Sequence, residues 1–481
     1  MTQDVQHLLD THDGLGLAQC VKTGDVTGEQ LLDGVIERLE KVEPSLNAVV
    51  DRLYDAAREE SRKPHAAGQP FAGVPTLVKD LFSPLEGARM TQGSIVGGDA
   101  KAEFDAEAVA RLRRAGCLLM GTSTSPEFGT SYTTESTRHG ATRNPWDLER
   151  STGGSSGGAA ALVAARVVPF AHGNDGGGSL RVPSSCCGVF GLKPSRGLLP
   201  SGPMAGEGWG GMGTSHAITR SVRDSAALLD ATAGTDLGAP YAAPVSQNTY
   251  LSATQRAPGR LRIGLIDGPD ISSDAADSVR HTIALCESLG HQVDTVTLPL
   301  DWNEFYSRCF DIIGPSTQEL LDTIGGMRGQ AVKEEEIEPR TRVMLRERGH
   351  IDATQYVSAI NYIHALGRKV ATTMVEFDVL LSPTLARKPP VIGTLDAFDD
   401  SLSLDDVIHA FHSYCPFTAL FNATGQPAMS VPLFWTEDGL PLGSHFAGRF
   451  GEEGRLLSLA AQLESEAPWA GRIPPTNACS R

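Results

Sequence analysis

The stretch that decides the fold reads RSTGGSSGGAAA (150–161), runs on through ALVAARVVPFA (161–171) and AHGNDGGGSLRVP (171–183), and closes on VFGLKP (189–194). Glycines in a flexible linker sit among polar residues. These are flanked by apolar, core-forming runs, so they read as tight buried turns, where the missing Cβ lets the chain bend sharply. Both clusters carry serine: Ser155 and Ser156 in GGSSGG, and Ser179 directly after Gly176, Gly177 and Gly178.

On the N-terminal side, Thr27 and Gln30 form a capping-box pattern, and Leu31, Leu32, Val35, Ile36, Leu39 and Val42 continue with helical spacing. A second helix is predicted over Asp51 to Glu60. FAGVPTLVKDLF (71–82) holds a short apolar strand that ends at Lys79. Asp105 is placed as the cap of a helix reaching Arg114, and CLLMG (117–121) as the next strand. Beyond the glycine-rich strip, LRIGLID (261–267), a helix from Asp274 to Leu289 and the strand HQVDTVTL alternate in the β-α-β manner of an α/β layer architecture. Residues 302–376 read as mainly helical, DVLLSP (378–383) and AMSVPL (428–433) as buried strands, and Gly454 to Glu466 as a closing helix. No short repeat, long low-complexity segment or obvious linker interrupts the chain, so one domain over 1–481 is expected.

Composition narrows the function. With 481 residues, 40% hydrophobic and 21% charged, the chain has the make-up of a globular protein with a large core. Lys plus Arg number 41 against 58 Asp plus Glu, a formal charge of -17. That surface repels phosphate backbones and anionic membranes, so nucleic acid and membrane are not expected partners. The start, MTQDVQHLLDTHDG, does not resemble a signal peptide, and no apolar run is long enough to span a bilayer. Eight cysteines, at 20, 117, 186, 187, 286, 309, 415 and 479, form no CxxC pair. They read as reduced, mostly buried thiols of a cytoplasmic protein.

The chemistry sits in three strings. Three glycines before Ser179 allow several backbone N–H groups to converge on one oxygen, as stabilising a tetrahedral oxyanion requires, although a tight turn with a solvent-facing serine would look the same. Ser155 or Ser156 could relay a proton, cap the alanine-rich helix beginning near Ala159, or sit in a G-x-S-x-G nucleophile elbow. Lys79 could be a surface lysine at a strand end. To accept a proton near neutral pH it must be desolvated, and a fall of about 3 pKa units corresponds to ~4 kcal/mol.

Together these strings resemble the amidase signature family, as do ATRNPW (141–146), CGVFGLKPSRG (187–197), SVRDSAALLD (221–230) and FNATGQPAMSVP (421–432), over roughly residues 25 to 470. The resemblance implies a three-layer α/β/α fold with a large mixed sheet. Its helical N-terminal region would cover 1–70, its signature core about 71–230, and a helical pocket cover about 302–376. It implies a serine amidohydrolase using a Ser-cisSer-Lys triad and an acyl-enzyme, without cofactor or metal. In that triad Lys79 is the base, Ser155 the bridging serine after a cis peptide bond, and Ser179 the nucleophile. The N–H groups of Gly176, Gly177, Gly178 and Ser179 would form the oxyanion hole. Ser156, Asp175 and Arg181 would support the site, the last two as an ion pair that fixes the loop.

Some residues depart from the commonest pattern. Val182-Pro183 stands where many members have Gln-Pro, and SGPMAGEGWGGMGTSHAITRS (201–221) replaces the usual segment, which argues against a tRNA-modifying transamidase subunit. The HGND wording is most similar to 6-aminohexanoate cyclic dimer hydrolases, while aryl-acylamidases and carbamate-cleaving urethanases share the scaffold. Uncharged linear, cyclic or aryl amides are the expected substrates. An aromatic pocket is expected from Trp209, Met212, Trp302, Phe305, Tyr306, Phe310 and the neighbourhood of Tyr414, with Cys309 either facing it or packed inertly. A homodimer is the family-level expectation. Other readings stay open: an α/β-hydrolase esterase with a histidine base, an ester or carbamate hydrolase, or a non-catalytic subunit on this scaffold. His409 and His412 read as helix-surface histidines rather than metal ligands, and KEEEIE (333–338) as a solvated helix face.

Overall fold

The computed structural model describes residues 5–479 apart from 245, 396–398 and 400. Its centre is an eight-stranded mixed sheet. From one edge to the other the strands are Gln292–Thr297, Arg262–Asp267, Val379–Pro383, Pro441–Gly448, Ala428–Trp435, Phe190–Lys193, Thr214–Thr219 and Phe170–Asp175. The first three pair in parallel and the remainder antiparallel. Alternate residues of the central strands enter different cores. Val379, Leu381, Met429 and Val431 pack in one apolar cluster, while Leu380 and Ala428 pack in the other. A strand whose side chains are buried on both faces must be covered on both, which makes this a layered α/β structure.

A second sheet of three strands, ordered Val49–Arg52, Leu118–Ser123, Pro75–Lys79, lies against the edge strand Phe170–Asp175. Side chains stitch the two together where a continuous sheet would use a main-chain ladder. Thr76 Oγ1 donates to Phe170 O at 2.8 Å, and the Lys79 N–H donates to His172 Nδ1 at 3.4 Å. The stitching brings the end of the Lys79 strand beside the end of the strand that leads into the GGGS turn.

The helix Gly157–Ala164 is buried along its whole length. Its glycines are there because nothing larger fits: a Cβ on Gly157 would lie 2.2 Å from the hydroxyls of both Thr134 and Thr152. Further out, the capping box of Thr27 and Gln30 is formed in both directions (3.1 and 2.9 Å) at the head of the helix Gly28–Leu46. The remaining predicted strands appear close to their expected bounds, and residues 302–376 form the helices Trp302–Arg328, Pro339–Arg348 and Ala353–Thr373. All eight cysteines are free, and all but Cys479 are buried. Among the described residues no helix is long and apolar enough to cross a membrane.

Three local expectations fail. Asp51 belongs to the strand Val49–Arg52, and the helix is the shorter Tyr54–Ser61. Pairing of the Val49–Arg52 strand with Leu118–Ser123 outweighs the helical propensity of the residues next to it. Asp105 does not cap its helix, which begins at Glu107 without a side-chain cap; its carboxylate is bonded to Arg113 and to the N–H of Glu86. KEEEIE is no solvated helix face, because only the exposed turn Glu334–Glu336 fits that description, whereas Glu338 is buried against Arg340 (3.1 Å).

That burial belongs to a clamp between the helical cover and the core. Buried Glu127 accepts from Ser94 Oγ (2.7 Å), Thr341 Oγ1 (2.7 Å) and the N–H of Glu338 (2.9 Å). Glu127→Ala strands two buried hydroxyls and one N–H, and is expected to cost about 3 kcal/mol in urea unfolding, whereas a surface glutamate such as Glu437 changed to Ala stays within ~0.5 kcal/mol.

Candidate active site

The sequence Pro75–Lys79 makes a strand buried at every position, so its last side chain has nowhere to go but the interior. Lys79 is among the largest fully buried side chains. Its Nζ lies 2.7 Å from Ser155 Oγ and 2.6 Å from Asn174 Oδ1. Burial drives the amine well below its usual pKa, and Asp175 opposes that only in part. A buried lysine bonded to a hydroxyl and a neutral amide, with no carboxylate in contact, favours the uncharged form.

Ser155 comes after a cis peptide bond from Gly154, at the head of the Gly157–Ala164 helix. Ser156, its neighbour, turns the other way and donates to Asn174 O at 3.1 Å, without capping the helix. The two adjacent serines thus have different contacts: Ser155 touches the lysine, as the resemblance implied, and Ser156 pins the turn. Ser179 lies between the strand Phe170–Asp175 and the helix Arg181–Cys187, 5% exposed. Its hydroxyl carries no protein hydrogen bond among the described residues. No histidine is hydrogen-bonded to Ser155, Ser156 or Ser179 among those residues either.

The turn before Ser179 is shaped by a buried ion pair. Arg181 grips Asp175 with two nitrogens, at 3.0 and 2.9 Å, and both residues are fully buried. The same carboxylate accepts the N–H of Gly178 (2.7 Å), the N–H of Leu180 (3.0 Å) and Asn422 Nδ2 (2.9 Å). Burial alone would raise the Asp175 carboxyl, but Arg181, Lys193 and Asn422 outweigh it and hold it well below the usual range. Gly178 needs to be glycine: its φ is +146°, and a Cβ there would meet Thr418 Oγ1 at 2.4 Å. Gly177 O accepts from Tyr132 OH (3.2 Å) and Thr418 Oγ1 (2.6 Å). One expectation is corrected here. The Gly178 N–H is committed to Asp175, so it is not free to hold an oxyanion, whereas the N–H groups of Gly176, Gly177 and Ser179 have no protein acceptor among the described residues.

The expected pocket residues divide. Trp209 lies directly on the turn, since a Cβ at Gly176 would come within 2.6 Å of its ring. Met212 is buried behind it and gives its carbonyl to Asn422 Nδ2 (3.0 Å). Tyr306, Cys309 and Phe310 are buried on the helix Trp302–Arg328. Tyr306 stacks on His412 at 3.5 Å, and His412 meets the edge of Tyr132. Burial pushes the Cys309 thiol far up, so it packs as a neutral group. The hydroxyl of Tyr414 is spent on Cys186 Sγ (3.1 Å), in the helix after Ser179, so Tyr414 supports that helix. His412 is no surface histidine, because the side of its helix that packs on Tyr306 buries it; His409 is exposed.

Asn174, Tyr132, Thr418, Asn422 and His445 were not singled out from the sequence. Asn174 and Asn422 lie inside the quoted strings, one residue before Asp175 and one after Phe421. Tyr132, Thr418 and His445 carry no local signal, being joined to the site only by folding.

The chain is similar to known proteins over nearly its whole length. The Amidase family model matches residues 30–457. The 6-aminohexanoate-cyclic-dimer hydrolase of Paenarthrobacter ureafaciens is 36% identical over 478 residues, covering 96% of this chain and 96% of that protein. A solved structure of 6-aminohexanoate cyclic dimer hydrolase complexed with substrate superposes with a TM-score of 0.90 at 33% identity, covering 98% of this chain and 100% of that one. A bacterial aryl acylamidase structure gives 0.87 at 27%, covering 96% and 99%.

The state of Lys79 has a thermodynamic signature. The folded chain binds its proton more weakly than the unfolded chain, so this group makes stability rise with pH up to its ordinary value of 10.5. Lys79→Met is therefore expected to be more stable than the parent in urea at neutral pH, by a margin that shrinks as the pH approaches that value. A margin independent of pH would show that the lysine is charged in the fold.

Proposed function

Since this chain belongs to the amidase signature family and is an amidohydrolase, we propose that it cleaves its amide through Ser179, with Ser155 and Lys79 relaying the proton. The observation that carries this reading is the buried Lys79 amine held 2.7 Å from Ser155 Oγ. An uncharged amine has a lone pair to offer. Ser155 gives its proton to Lys79 Nζ and takes one from Ser179, and Ser179 Oγ attacks the amide carbonyl. The negative charge that develops on the carbonyl oxygen is met by the N–H groups of Gly176, Gly177 and Ser179, each worth ~3 kcal/mol in such a role. The proton returns through Ser155 to the leaving nitrogen, and the C–N bond breaks. Water then attacks the acyl-enzyme, losing its proton along the same route, and the free acid departs. The reading requires Ser179 Oγ to reach Ser155 Oγ when substrate is bound.

The substrate proposed is an uncharged amide with an aliphatic or aromatic body. Trp209 over the turn and Tyr132 beside Gly177, with the His412 and Tyr306 rings packed in sequence behind Tyr132, make the surroundings of the turn aromatic, which suits an uncharged substrate. Burial pulls the His412 ring down to about 3, so it is neutral at any working pH. The relatives named for cyclic dimers of 6-aminohexanoate and for aryl amides act on substrates of this kind.

A fluorophosphonate is expected to label Ser179, as mapped by mass spectrometry, and Ser179→Ala to lose both labelling and hydrolysis across a panel of linear, cyclic and aryl amides. Ser155→Ala and Lys79→Ala are each expected to lower kcat by ~10³-fold or more. An adduct on a different serine would sink the assignment.

A further inference from the structure

The strand Phe170–Asp175 presents two side chains to Lys79 from positions two apart, as same-face residues of a strand must be. Asn174 holds the amine, and His172 accepts the main-chain N–H of the same lysine at 3.4 Å. An N–H can only donate, so the Nδ1 of His172 is bare and the neutral ring carries its proton on Nε2. That Nε2 is buried and has no hydrogen-bond partner among the described residues. An orphaned buried donor costs about 1–3 kcal/mol unless something answers it. The ring lines a small cavity with His216, Ser215, Thr232, Leu112 and Leu199. The cavity has room for roughly one water, and its lining is mostly apolar. Its polar groups besides His172 are the Ser215 hydroxyl, the Thr232 hydroxyl, which already donates to Leu228 O but keeps its lone pairs, and the His216 ring, whose Nε2 is bonded to Ser225 Oγ.

We propose that this cavity holds one ordered water that accepts the Nε2–H of His172, and that His172, locked in this tautomer, is a positioning residue that sets where Lys79 stands. The proposal rests on the reading of Lys79 as the proton acceptor. His172 touches no reacting atom. It does for the lysine main chain what a ladder carbonyl does inside a continuous sheet, at the seam where the two sheets meet without one. The water completes the device, because only a ring whose Nε2–H is satisfied keeps its Nδ1 free for the lysine. The titratable groups facing Lys79 are His172 and Asp175, and His172 itself faces Lys79 and His216. Burial and those neighbours pull His172 down to about 3, so it adds no charge beside the amine.

The test uses the rate at which a fluorophosphonate acylates Ser179, measured from mildly acidic to alkaline pH. His172→Leu removes both ring nitrogens while filling the space. It is expected to slow acylation by ~10- to 100-fold and to move the acid-side midpoint upward, because a loosened lysine gains water. His172→Asn, whose Oδ1 can accept the Lys79 N–H, is expected to regain most of the rate and the parent midpoint. Parent-like rate and midpoint in His172→Leu, or an His172→Asn as slow as His172→Leu, would overturn the proposal. Lys79→Met is the control. If it abolishes labelling while His172→Leu does not, only the role of His172 falls; if Lys79→Met also labels normally, the reading of the base falls, and this inference with it. Should His172→Leu fail to fold, NMR of the ring nitrogens in the parent decides. A bare Nδ1 and a protonated Nε2 at neutral pH are expected, and the opposite tautomer or a doubly protonated ring overturns the proposal. A crystal structure with the cavity dry would overturn the water.

Discussion

Asp175 and Arg181 make a buried, two-pronged ion pair, and the geometry around Ser179 depends on it. The carboxylate gathers the N–H groups of Gly178 and Leu180 and the amide of Asn422, while the guanidinium reaches Thr418 O (2.9 Å), Asn422 Oδ1 (2.6 Å) and His445 Nε2 (3.0 Å). The arginine can only donate, so His445 accepts on Nε2 and its Nδ1–H is free for Ser382 Oγ at 3.0 Å. The carboxylate therefore folds the turn and starts the helix after it, and the pair together fastens both to the helix Thr418–Ala423 and, through the guanidinium, to the strand Pro441–Gly448. Such a pair is not a source of net stability, because desolvating both charges offsets their attraction. Its contribution is shape, since either partner alone would be an uncompensated buried charge.

The same arrangement explains how a lysine can stand where a histidine might be expected. The Lys79 strand ends against the seam between two sheets, where Ser155, Asn174 and His172 take its polar groups. Everything near the amine that could carry charge is either neutralised by burial, as His172 is, or already engaged, as Asp175 is by Arg181. Desolvation then dominates and the amine gives up its proton. The all-buried glycine-alanine helix behind Ser155 belongs to the same design, because residues without bulk let the serine-bearing turn sit that deep.

Much of this was legible in the chain. Ser155, Ser179, Lys79, Asp175 and Arg181 stand in short strings whose glycines and apolar flanks already imply buried turns, and the structure brings all but Ser179 into direct contact with another of that group or with Asn174. What failed did so for two reasons. At Asp51 and Asp105, a distant partner competed with a local signal, strand pairing in one case and an arginine in the other. At Glu338 and His412, exposure could not be judged, because it depends on which helix covers which face. The Gly178 N–H was misread for a subtler reason: glycine-rich sequence shows that N–H groups can converge, but not which of them a neighbouring carboxylate will already have taken.

By itself the sequence determined the residue types, their order and the places where only glycine fits, because those are matters of local sterics and hydrophobic patterning. Only the tertiary structure decided which amides remain free, and that Asn174, His172 and Asn422 surround the site. Those outcomes turn on hydrogen bonds between elements far apart in the chain, and on burial, and neither exists until the layers have closed.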